Sequence, residues 1–146
     1  MWRYMRYLCV ILLLSWHSVS DIRNQCIPGR SLALGVIFSC LGACAGGLQG
    51  EVSWVELGLA LLPGTAALVL AKITREQIGT GDGWELILMG NWLGLSDCLL
   101  ALGIALLGIF LISVVLLLLG RAGRNTRIAF VPFLWVGTVA ALLTEM

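Results

Sequence analysis

From Cys98 to Leu119 the chain runs without a charged or amide side chain. An α-helix needs about 20 apolar residues to cross the hydrocarbon core of a bilayer, and this stretch meets that length by itself. The rest of the chain is of the same kind. Of its 146 residues 60% are hydrophobic and only 12% are charged, whereas soluble domains average about 25% charged. So few charges cannot cover the surface of a water-soluble globule.

Five further apolar runs can be read along the chain: Tyr7 to Val19, Leu32 to about Leu48, Val52 to Ala71, Trp84 to Leu95 and Ile128 to Leu143. Pro63-Gly64 is expected to bend the run that contains it. The separators are polar: Asp21 to Arg30, Gln49-Gly50-Glu51, the glycine-rich Lys72 to Gly83, Ser96-Asp97, and the basic Arg121 to Arg127. The pattern predicts an all-α polytopic membrane protein with about six transmembrane helices. Residues 1–146 carry no internal repeat or low-complexity linker, so they form a single membrane-embedded domain.

The charges sort by side. If the loops after the first, third and fifth runs face the cytoplasm, they hold Arg23, Arg30, Lys72, Arg75, Arg121, Arg124 and Arg127. The opposite side holds Glu51, Glu56, Asp97 and Glu145, as the excess of basic residues in cytoplasmic loops requires. Arg3 and Arg6 dissent, and are outvoted. With Leu8 to Leu14 and Ser18-Val19-Ser20 they also resemble a signal peptide, but cleavage there would leave Asp21 on the side away from the basic loops. A net charge of +1 gives no reason to expect a nucleic-acid partner. The expected surroundings are lipid.

Few residues offer chemistry. The cysteines Cys9, Cys26, Cys40, Cys44 and Cys98 form no Cys-x-x-Cys pair, and His17 is the lone histidine. A structural zinc site takes about four ligands at short spacing, so no metal and no cofactor is expected. His17 has no evident partner and reads as a packed or interfacial residue. Gly42, Gly46, Gly50, Gly90 and Gly94 supply small faces for helix contact. Trp16, Trp54, Trp84, Trp92 and Trp135 read as interfacial anchors, and Asn91 as a hydrogen bond between helices.

Ionisable groups near membrane depth are costly and mark function. Asp21 closes the first run, and Asp82 and Glu85 open the fourth, so both aspartates reach the same membrane face in a topology drawn from basic residues alone. Two facing carboxylates cannot both ionise cheaply and hold one proton between them. The ionised member can take a proton from water while the protonated member gives one up. Gly79-Thr80-Gly81-Asp82-Gly83 would let an extended chain approach closely. The same residues fit a plain flexible loop with Asp82 capping the next helix.

The segment Asp21-Ile22-Arg23-Asn24-Gln25-Cys26-Ile27-Pro28 resembles the first-aspartate element of the type IV prepilin peptidases, which are GxGD-type intramembrane aspartic proteases. Gly79-Thr80-Gly81-Asp82 is similar to their Gly-x-Gly-Asp. Gly90-Asn91-Trp92-Leu93-Gly94 keeps the glycine spacing that follows, and Ile128 to Leu134 is similar to their Pro-Phe element before the last helix. The resemblance implies an aspartic endopeptidase of the bacterial cytoplasmic membrane, with its active site facing the cytoplasm. Its substrate would be a prepilin or pseudopilin with a short basic leader and a hydrophobic helix, cut after a glycine. It implies Asp21 and Asp82 as the catalytic pair, with Gly79 and Gly81 shaping the substrate-binding side. Many members have lysine where Trp84 stands, followed here by Glu85. The cysteine-rich insertion that carries methyltransferase activity in longer members has no counterpart. An inactive homologue, or a non-enzymatic assembly or transport protein, is the competing reading. The non-enzymatic reading would have Asp21 or Asp82 paired with an arginine or lining a route across the bilayer.

Overall fold

The computed structural model describes residues 2–24, 27–48, 53–74, 79–120 and 128–144, with only the backbone of residues 2–4, 45 and 46. Among the described residues there are helices and no strands. They are α1 (Trp2–Asn24), α2 (Gly29–Leu48), α3 (Trp54–Ala60), α4 (Leu62–Ile73), α5 (Thr80–Leu93), α6 (Leu95–Leu118) and α7 (Val131–Thr144). Cys26, Glu51, Arg75, Arg121, Arg124, Arg127 and Glu145, the Gln49-Gly50-Glu51 turn and the side chain of Arg3 lie outside what is described.

Helices α3 and α4 are two halves of one segment. A serine–glutamate capping box starts it, with Ser53 Oγ accepting from Val55 N–H at 3.3 Å and Glu56 Oε2 from Ser53 N–H at 3.2 Å. The break comes at Leu61, two residues before Pro63, whose ring nitrogen has no proton to donate. With that pair counted once, each of the six apolar runs corresponds to one helical segment. Trp54–Ile73 and Leu95–Leu118 are long and apolar enough to cross a membrane, and Gly29–Cys44 and Val131–Thr144 are shorter apolar helices. Large apolar side chains cover the outside: on α6 alone Leu106, Leu107, Phe110, Leu111, Leu117 and Leu118 are exposed. A surface of that kind suits acyl chains and not water, and the chain is a membrane protein.

Helix α5 is the axis. It packs on α4 and α2 most extensively, and also on α6, α1 and α3. Its residues Gly83 and Glu85 to Gly90 are buried. Both halves of the α3–α4 segment press closely on α5: a Cβ added at Gly64 of α4 would stand 2.6 Å from the Ile87 backbone nitrogen. A Cβ added at Gly90 would stand 2.0 Å from the Ala60 carbonyl oxygen, and one at Gly83 would stand 2.7 Å from the Leu68 side chain. Ala60 of α3 therefore meets the end of α5 and Leu68 of α4 its beginning, so the α3–α4 segment runs antiparallel to α5. On the other side α7 packs on α6 and α1, with Gly137 fitted against the Ala101 carbonyl. Small residues at such crossings are how membrane helices approach closely. Gly94 separates α5 from α6 at φ 87°, a conformation that favours glycine.

Several boundaries differ from expectation. Helix α1 continues past Val19 to Asn24, so Asp21 is helical. Helix α5 begins at Thr80, so Thr80 to Gly83 form its first turn and not a loop. Its N-cap is Gly79, not Asp82. Trp92 and Trp135 are partly buried against the core and are not surface anchors, whereas Trp16, Trp54 and Trp84 are exposed.

Gly90→Ala is expected to destabilise the bundle by about 1–3 kcal/mol through overpacking, and Gly103→Ala, with nothing within 4 Å, to change little. Thermal unfolding of the detergent-purified protein compares them, and equal midpoints would contradict the α3–α5 contact.

Candidate active site

Helix α1 buries one narrow stripe: Tyr7, Val10, Leu14, His17 and Asp21. Steps of three and four keep these residues on one face. The stripe starts apolar and ends in two ionisable side chains. Asp21 is 8% exposed. Its Oδ2 accepts a hydrogen bond of 3.1 Å from the backbone N–H of Val131. Val131 opens α7, and the first N–H groups of a helix have no partner within it. The carboxylate therefore caps α7 from another helix, where the positive end of the helix dipole also favours it.

Asp82 lies in the first turn of α5, within electrostatic reach of both Asp21 and Glu85. Its carboxylate lies beside Gly79, where an added Cβ would stand 3.2 Å from Asp82 Oδ2. A Cβ at Gly81 would stand 3.1 Å from Ile27 Cδ1. Ile27 belongs to the segment that follows Asp21, so the two aspartate-bearing elements touch through Gly81. Trp84 points outward and is 43% exposed.

Glu85 was expected only as an acidic neighbour of Asp82, and His17 as a residue without a partner. The structure keeps the first, adds a partner to it, and corrects the second. Glu85 and His17 are fully buried and in direct contact, Oε1 to Nδ1. His17 Nε2 lies 3.0 Å from Ser31 Oγ, and Ser31 Oγ donates to the Pro28 carbonyl at 2.9 Å. A hydroxyl has one proton. With that proton on Pro28, Ser31 accepts from Nε2–H. The contacts have the connectivity of a serine triad, which the sequence did not reveal, but the serine proton is turned away from the imidazole. The signal available in the sequence was the α1 stripe, in which His17 sits between Leu14 and Asp21.

Elsewhere Asn91 Nδ2 reaches Ser39 Oγ and Cys40 Sγ at 3.3 Å each, the expected bond between helices. Trp135 Nε1 donates to Ser15 Oγ at 2.8 Å.

These features define a helical membrane protein in which two distant acidic elements converge at one end of the bundle. Residues 8–120 match the sequence profile of the type IV leader peptidase family, and the chain belongs to that family. No curated protein and no solved structure gave a significant match.

Asp21→Asn keeps an oxygen that can accept from Val131 N–H and is expected to leave the unfolding midpoint nearly unchanged. Asp21→Leu removes the acceptor and should cost about 1–3 kcal/mol. A similar loss in both variants, measured by thermal unfolding in detergent, would speak against the capping bond.

Proposed function

We propose that the chain is an aspartic endopeptidase that removes the short basic leader from type IV prepilin-like or pseudopilin proteins at the cytoplasmic face of the bacterial inner membrane. The observation that carries this reading is the approach of Asp21 and Asp82, from α1 and α5, to within electrostatic reach of each other, with Gly81 against Ile27 between their elements. Membership of the leader peptidase family supports the same chemistry.

The ionised carboxylate of the pair takes a proton from water as the water oxygen attacks the scissile carbonyl carbon. The protonated carboxylate donates to the developing oxyanion. As the tetrahedral species collapses, the C–N bond breaks and the leaving amine gains a proton from the pair. Gly79 and Gly81 leave room on the α5 side for an extended substrate backbone.

The orientation has its own support. Arg23 at the end of α1, Arg30 at the start of α2 and Lys72 at the end of α4 are exposed at the end of the bundle that holds both aspartates. Basic residues concentrate on the cytoplasmic side of membrane proteins. Six crossings by the helical segments follow from the same pattern.

Co-expression with a prepilin-like protein encoded nearby, read by gel shift and N-terminal sequencing, tests the proposal. The wild type is expected to cut after a glycine ahead of the hydrophobic helix. Asp21→Asn and Asp82→Asn are each expected to lower the rate by about 10²–10⁴-fold. Cleavage that survives either substitution would remove the two-aspartate mechanism.

A further inference from the structure

The buried cluster of His17, Glu85 and Ser31 takes no part in the chemistry above, although it adjoins the aspartates. His17 and Asp21 are one turn apart on α1, and Asp82 and Glu85 one turn apart on α5. His17 meets Glu85 while Asp21 approaches Asp82, so the two helices run antiparallel and the two pairs are successive rungs between them. We propose that His17 and Glu85 form a positioning pair for the active site, holding α1 and α5 at the separation at which Asp21 and Asp82 act together. The proposal rests on the reading of those aspartates as the reacting pair.

Three observations carry it. First, the interface between α1 and α5 is small: α1 packs mainly on α7, and α5 mainly on α4 and α2. A single polar contact therefore has a large share in fixing the distance between them. Second, the imidazole is gripped on both nitrogens, by Glu85 from α5 and by Ser31 at the start of α2. Ser31 is itself tied to the Pro28 carbonyl, at the end of the segment that follows Asp21. The ring has no freedom to swing and take Glu85 with it. Third, Glu85 is fully buried and its Oε2 has no hydrogen-bond partner among the described residues. His17 is then the hydrogen-bonding group that holds this carboxyl in place. Without it a buried carboxyl is left alone, which is strongly unfavourable, and α5 must turn or admit water. Asp82, one turn away on the same helix, moves with it.

The experiment compares kcat and KM for leader cleavage by the purified full chain. Glu85→Leu is expected to lower kcat by about 10²-fold, the cost of a displacement near 1 Å, with KM within about threefold because substrate contacts remain. Glu85→Gln can donate an amide proton to Nδ1 and is expected to recover at least about tenfold of that loss. Ser31→Ala should lower kcat far less than Glu85→Leu, since His17 keeps Glu85. If Glu85→Leu does not accumulate, the double variant His17→Leu/Glu85→Leu, with no unpaired imidazole, carries the same expectation.

A second readout does not depend on cleavage. With the native cysteines replaced, Asp21→Cys and Asp82→Cys are joined by a short bismaleimide, and the yield is expected to fall sharply when Glu85→Leu is added. Wild-type kcat in Glu85→Leu, or an unchanged cross-linking yield, overturns the positioning role. Abolition of cleavage by Ser31→Ala also overturns it, in favour of a nucleophilic serine. Failure of wild type to cleave, or cleavage that survives Asp82→Asn, overturns the peptidase reading instead, and the cross-linking yield still decides whether the pair sets the separation.

Discussion

A polar side chain inside a membrane bundle has no water to satisfy it, so each must find its partner within the protein. That constraint organises the interior of this molecule. The Asp21 carboxylate takes the first N–H of α7, the His17 imidazole is held between Glu85 and Ser31, Asn91 reaches across to α2, and Trp135 donates to Ser15. Each bond joins different helices. Together they specify which helix meets which, a choice that apolar contact alone leaves loose because lipid competes equally well for apolar surface.

Helix number and the positions of the runs were legible in the sequence, because long uncharged stretches separated by basic or glycine-rich segments leave little choice. Element ends were less so. The Thr80 to Gly83 stretch looked like a loop because glycine weakens an isolated helix. It is helical because Gly83 allows α4 to lie against α5, a tertiary gain that composition does not display. The aspartates were found as ionisable residues at run ends. His17 and Glu85 were not read as a pair, since nothing local joins residues on α1 and α5. Only the apolar stripe leading from Tyr7 to His17 hinted that the histidine faces inward.

The family match and the site do not cover the same residues. The matched region ends at residue 120, yet Val131, beyond it, supplies the backbone donor to Asp21. The Pro-Phe element read from the sequence therefore has a structural place at the first aspartate. Position 84, where the resemblance leads one to expect lysine, holds an exposed tryptophan, and the ionisable neighbour that faces inward is Glu85.

Helices α5 and α7 have 14 residues each, which at about 1.5 Å per residue is near 21 Å. The hydrocarbon core of a typical bilayer is about 30 Å thick. Helix α5 is enclosed by other helices, so the mismatch falls on α7, where the lipid must thin or the flanking residues must reach outward. Headgroups and water are drawn toward the short side of the bundle. Water there is brought toward the level of Asp21, which caps the start of that short helix, by the shape of the membrane itself.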